Sequence, residues 1–182
     1  MIKSLKTVAV MLAIILVCGG LLAISSDLLN VSDEERIQRA IDKIYTSEEV
    51  LLEETVDVSS IETSDLNDVG TIKSCYVLNN GDLLILSTGK KGYSNGTISL
   101  YVAITIENNV ASVKRTVQDS YTGQTLMSKL SSLYQKFIGK TNSDDLDKVN
   151  EIVSGATYSS NAASNAVFVA LQFANRLMEA GL

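Results

Sequence analysis

The segment best equipped for chemistry is Ser154-Gly155-Ala156-Thr157-Tyr158-Ser159-Ser160. Hydroxyls crowd here beside two small residues, just ahead of a long apolar stretch. A helix that starts at this point presents unpaired N–H groups and positive potential, a natural seat for phosphate. Gly155 and Ala156 leave room for close backbone approach. The same residues also read as a serine-rich helix cap, which needs no ligand. A second candidate is Gly89-Lys90-Lys91-Gly92-Tyr93-Ser94-Asn95-Gly96, glycine-rich with two lysines and a tyrosine. It lacks the phosphate-loop spacing, so a plain loop between strands stays open beside a phosphate contact.

Other chemistry is excluded by what the chain lacks. It has no histidine, proline or tryptophan, and two cysteines. Without histidine there is no Ser–His or Cys–His catalysis within the chain and no imidazole metal ligand. Cys18 lies in an apolar run and Cys75 beyond it, so no disulfide is expected between them. Net charge is −6, and residues 1–26 hold Lys3 and Lys6 but no acid, which leaves −8 on the remainder. Phosphate backbones need clustered cations, so nucleic acid is not an expected partner.

The elements that must position these residues follow from the pattern. Thr7 to Ile24 is an uninterrupted run without charge. As a helix it is about 27 Å long, close to a bilayer's hydrocarbon thickness. Lys3 and Lys6 precede it and Asp27, Asp33, Glu34 and Glu35 follow, which orients the N-terminus inward and the rest outward. A cleaved signal peptide, ending near Ala23-Ile24-Ser25, is the rival reading. The run has no polar group to carry an ion. Ser32-Asp33-Glu34-Glu35 is a capping box, and Ile37, Ile41, Ile44 and Tyr45 continue at helical spacing. Residues 53–70 are acidic and without clear period, and read as a loop or linker.

Strands are expected at 71–78 and 83–88 around Asn79-Asn80-Gly81-Asp82, and at 97–107 and 110–118 around Asn108-Asn109. A helix is expected over 125–138, with Leu126, Leu130, Leu133, Tyr134 and Phe137 as its apolar stripe and Gly139 as its cap. Residues 140–150 read as a surface loop. The last helix is expected from about Ser160-Asn161 to Ala180, deeply buried around Ala166–Leu171. The fold class is therefore α+β: a single N-terminal transmembrane helix, then an antiparallel sheet packed with helices.

The SGATYSS segment resembles the flavinylation motif of the FMN-binding domain family. That family includes flavin-carrying components of the Rnf ion-translocating ferredoxin:NAD oxidoreductase and of the sodium-pumping NADH:quinone oxidoreductase. Gly92-Tyr93-Ser94-Asn95-Gly96-Thr97-Ile98-Ser99-Leu100-Tyr101-Val102 is similar to the family's G-Y-x-x-x-I-x-L-x-V loop and strand. Asn108-Asn109-Val110-Ala111-Ser112-Val113 is similar to its turn and next strand. The order of anchor, spacer, sheet, helix and SGAT-helix also fits. The resemblance implies an anchor over 1–26, a helical stalk and linker over 27–70, and an FMN-binding domain over 71–182. It implies FMN bonded through its phosphate to Thr157, delivered from FAD by a separate flavin transferase. That division of labour agrees with a threonine hydroxyl that has no base beside it.

Ser154, Gly155, Ala156, Tyr158 and Ser159 are the implied cofactor-binding neighbours, with Tyr93 able to stack on the flavin. Lys90 and Lys91 could stabilise a reduced, anionic flavin, or simply form a solvated turn. Two positions depart from the family. Glu151 stands where Asp is usual, and Tyr121-Thr122-Gly123-Gln124-Thr125 takes the place of T-P-G-L-G. The implied function is an electron-transfer component of a redox-driven, ion-translocating Rnf-type complex, with that complex's other membrane subunits as partners. It would sit in the cytoplasmic membrane with the flavin on the outer side. A stand-alone flavinylated electron-transfer protein, and an anchored binding module without flavin, remain as alternatives.

Overall fold

The computed structural model describes residues 11–20, 32–46, 49–123, 127–141 and 153–181. The chain divides into two compact units, Met1–Ile37 and Gln38–Leu182. In the first, residues 11–20 are helical and exposed. They fall within the expected span Thr7 to Ile24, whose remainder lies outside the described residues. Among the described residues no helix is long and apolar enough to cross a membrane. The capping box forms as expected: the Glu35 N–H donates to Ser32 Oγ at 3.2 Å. It opens helix α1 (Asp33–Ile44), within which the division between the units falls.

The second unit is built on a five-stranded antiparallel meander. Its strands are β1 (Leu52–Val56), β2 (Gly70–Leu78), β3 (Leu83–Gly89), β4 (Thr97–Glu107) and β5 (Val110–Thr122), in that spatial order. The β4–β5 hairpin closes through Asn108 and Asn109 at φ 51° and 63°. Two left-handed residues are what a type I′ turn requires, and Asn tolerates them best after Gly. Central β3 is buried on both faces along nearly its whole length. Among its described residues the unit also holds helices α2 (Ser131–Lys136) and α3 (Thr157–Glu179).

One face of the sheet carries Ile85, Ile98, Leu100, Val102 and Ile104, packed with Leu130, Leu133, Phe137 and α3 in one apolar cluster. Alanines 162, 163, 166 and 170 of α3 are buried there, and their small size lets the helix lie close to the sheet. The approach is closest at Gly89. A Cβ there would overlap Ala162 O and Ala166 N. Ser87 Oγ donates to Ala166 O at 2.8 Å, and Asn165 Nδ2 donates to Lys90 O at 2.9 Å. These contacts fix the N-terminal half of α3 over the end of β3.

Besides the start of α3, three elements differ from expectation. The stretch expected as loop contributes β1, paired to β2 through Thr55–Tyr76 and Val56–Cys75. Its four exposed positions and a register irregularity between Leu52 and Glu54 hide the strand period. Two 3-10 turns follow, and the second is tied to α3 by an Arg176–Asp65 fork at 2.8 and 2.6 Å. The helix expected over 125–138 is shorter, a 3-10 turn at Met127–Leu130 running into α2. Its buried residues Leu130, Leu133 and Phe137 are those of the expected stripe, and Leu126 lies outside the described residues. Strand β5 runs on to Thr122, four residues further than expected.

On the other face, Asp82 is 3 % exposed and fully engaged. It accepts hydrogen bonds from the Tyr45 hydroxyl, from Thr105 Oγ1 at 2.7 Å and from Lys114 Nζ at 3.0 Å. Lys114 also stands 4.6 Å from the centre of the Tyr45 ring. Burial acts to raise the Asp82 pKa, but the bonds from Tyr45, Thr105 and Lys114 outweigh it and hold the carboxyl below its ordinary value. A depressed carboxylate stabilises the fold above the ordinary carboxyl pKa of about 3.9 and ceases to as pH falls through the native value. Asp82→Ala is therefore expected to lower unfolding free energy by about 2–3 kcal/mol at pH 7. In urea unfolding at pH 3, the gap between variant and wild type should narrow.

Candidate functional site

Residues 153–157 turn sharply into α3. The Ala156 N–H donates to Val153 O at 3.2 Å, and Gly155 sits at φ 78°. A positive φ at the third position of such a turn suits glycine and strains any other residue. Gly155 is thus needed for its own conformation. The room beside it is not empty: a Cβ there would stand 3.3 Å from Lys129 Nζ.

Helix α3 begins at Thr157, three residues earlier than expected. Its N-cap is Ala156, which has no side-chain cap hydrogen bond. Ser160 does not cap the helix. Ser160 Oγ donates back to Ala156 O at 2.9 Å, and Ser160 N–H also donates to that carbonyl at 2.8 Å. No acidic residue occupies the first turn.

Exposure divides the motif. Ser154, Gly155, Thr157 and Tyr158 face solvent, while Ala156, Ser159 and Ser160 are buried. Thr157, at the first helical position, is open to another protein. Tyr158 is 61 % exposed and Tyr93 is 50 % exposed, and their rings meet edge to face with centroids 6.4 Å apart. The structure thus brings Tyr93 to the SGAT segment from a loop far away in sequence. Glu151 lies outside the described residues.

The loop bearing Tyr93 is held tightly. Gly92 and Gly96 close on each other through the Gly92 N–H and Gly96 O at 3.0 Å. Lys91, Ser94 and Asn95 all adopt positive φ, a conformation that persists only where surroundings enforce it. Those surroundings include the end of β5: a Cβ on Gly123 would lie 3.2 Å from both Tyr93 O and Gly96 Cα. The Tyr121-Thr122-Gly123 stretch is therefore a strand end that braces the loop. Lys90 does not face the site freely, since its Nζ donates to Asn67 O at 2.6 Å. The cation beside Gly155 is Lys129, which sits within an apolar stripe and carries no signal in the sequence.

Other groups are less suited to chemistry. Both cysteines are free, and burial pushes the Cys75 thiol up to about 12, so it stays protonated. Among the described residues no cluster of three or more His, Cys, Asp or Glu side chains is placed to hold a metal ion. A cavity of about 710 Å³ lies by Val56, Val77, Leu83, Ile106 and Leu177, near the opposite end of α3 from Thr157.

A helix start, a left-handed glycine, a neighbouring cation and a pair of exposed aromatic rings suit an anionic group carrying a flat ring system. Residues 92–172 match the model of the FMN-binding domain. The match supports the FMN-binding domain family. It runs from the glycine that opens the Tyr93 loop into the second half of α3, and so takes in both arms of the site. It supports FMN as the cofactor and a flavin-binding electron-transfer protein. No curated protein and no solved structure matches the chain. Ser154, Gly155, Ala156 and Thr157 gather at the start of α3, and the Tyr93 and Tyr158 rings stand together beside that segment.

Gly155→Ala should destabilise the protein by about 1–2 kcal/mol, the cost of placing a Cβ in the left-handed region. Ser154→Ala, at an exposed neighbour, should stay within about 0.5 kcal/mol of wild type. Urea unfolding of both variants measures the contrast.

Proposed function

We propose that the chain is an electron-relay protein carrying one FMN in phosphoester linkage to Thr157. The observation that carries this reading is the exposure of Thr157 at the first position of α3, inside the residues that match the FMN-binding domain. A separate flavin transferase supplies the activation that this chain lacks. The Thr157 oxygen bonds to the FMN phosphorus of FAD, the bond from that phosphorus to AMP breaks, and AMP leaves with the hydroxyl proton. Exposure of Ser154, Gly155 and Thr157 lets the segment enter the transferase.

Once bound, FMN accepts and donates electrons, and the protein supplies position and electrostatics. Tyr93 and Tyr158 hold the ring, and the start of α3 holds the phosphate. Half-exposed rings leave the carrier open to redox partners. This favours a relay over an enzyme with an enclosed substrate pocket. The charge-free run Thr7 to Ile24, flanked by lysines before and acids after, supports a single membrane anchor with the flavin domain outside the cytoplasmic membrane. In this reading the partners are the other membrane subunits of an Rnf-type, ion-translocating complex, and the ion pathway lies in those partners.

The test is the intact mass of the full chain produced with a flavin transferase, beside Thr157→Ala. Wild type should gain one FMN less one water and the variant nothing. An unmodified wild type, with the transferase active on a control protein, would overturn the covalent reading.

A further inference from the structure

The far end of α3 borders a cavity that the flavin reading does not use. It measures about 710 Å³, within the range of sites that take small molecules. Its apolar walls come from five elements: Val56 of β1, Val77 of β2, Leu83 of β3, Ile106 of β4 and Leu177 of α3. Val56, Val77 and Ile106 are only half-buried, which leaves apolar surface in contact with water. Register brings an acid to the same place. Glu54 pairs with Val77 across β1 and β2, and Val77 pairs with Leu83 across β2 and β3. Residues directly opposite in antiparallel strands share a face, so Glu54 sits on the apolar face of the sheet. Asp57 follows at the end of β1, where its Oδ1 accepts from the Ser59 N–H at 2.9 Å and from Ser59 Oγ at 2.7 Å. Among the described residues the lining holds these two carboxylates and no cation. Arg176, next to Leu177 in sequence, is committed to its fork with Asp65.

We propose that this cavity binds a small cationic amphiphile. The apolar body lies against Val77, Leu83, Ile106 and Leu177, and a protonated amine stands at the mouth beside Glu54 and Asp57. The walls supply the affinity, since removing apolar surface from water drives such binding. The acids select the head group: a cation is attracted and an anion repelled. FMN and other phosphate-bearing molecules are disfavoured here by the same charges. Because the carboxylates are exposed, their share is modest and screened by salt. Leu177 lies twenty residues beyond Thr157, about 30 Å along α3. The cavity is therefore separate from the flavin linkage, and either reading can fail without the other.

Octylamine, octanol and octanoate share one apolar body and differ in head group. Each is titrated into the full chain, made without a flavin transferase and held in a nanodisc of zwitterionic lipid. The readout is NMR of labelled Ile, Leu and Val methyls, with empty nanodiscs as the blank. Octylamine should shift the methyls of Val77, Leu83, Ile106 and Leu177 and saturate, with octanol weaker and octanoate weakest. Glu54→Gln should weaken octylamine by up to about fivefold, the worth of an exposed ion pair, and leave octanol unchanged. At 1 M salt, where screening acts over about 3 Å, octylamine and octanol should converge. Val77→Phe, which places a ring in the cavity, should remove the remaining shifts for all three. Thermal unfolding checks that this variant is folded; if it is not, wild type and Glu54→Gln carry the test. No shift at these methyls, or octanoate binding as tightly as octylamine, would overturn the proposal. So would an equal loss of octylamine and octanol in Glu54→Gln, which would reduce Glu54 to a charge that guards the edge strand.

Discussion

The near-contact between Gly89 and the backbone of α3 is the constraint on which the site depends. At that point the strand has no side chain and the helix offers only alanines, so the two backbones meet directly. Ser87 and Asn165 add one hydrogen bond on each side of the glycine. These two bonds set the position along the helix, because Ala170 and Ala174 continue the alanine stripe at the same spacing and size alone would not. Since β3 ends at Gly89, the next residues, which carry Tyr93, emerge beside the start of α3. The pairing of Tyr93 with Tyr158 follows from where one strand stops and one helix begins.

That geometry also accounts for the strain in the loop. Lys91, Ser94 and Asn95, non-glycine residues with positive φ, are unfavourable alone. They are held by the closure of Gly92 on Gly96 and by the extra length of β5, which brings Gly123 against Tyr93 O. Rigidity beside a carrier of electrons has a physical use, because a fixed ring environment keeps the charge and polarity around the flavin constant. The opposite face of the sheet is held independently, by a buried carboxylate with four side-chain donors.

Much of this was legible in the sequence. Strong alternation marked β2 to β4, and Asn-Asn marked the β4–β5 turn. The SGAT segment and Tyr93 could be singled out by residue type and by resemblance. What was not legible had local causes. Strand β1 has four exposed positions of five, so its period carries no apolar signal. Serines read as caps and so point to a later start for α3, whereas Ala156 takes the cap position and Ser159 and Ser160 turn inward. Lys129 could not be found at all. Its neighbours Leu130 and Leu133 announce a core helix, and nothing in the spacing says that the charged residue between turns lies against Gly155.

A threonine that another protein modifies has to satisfy that protein's recognition, so its neighbours would be contiguous and readable as a motif. Lys129 has no such contiguity: it reaches Gly155 from a 3-10 turn distant in sequence, and a contact made that way leaves no mark in the spacing of the residues around either one.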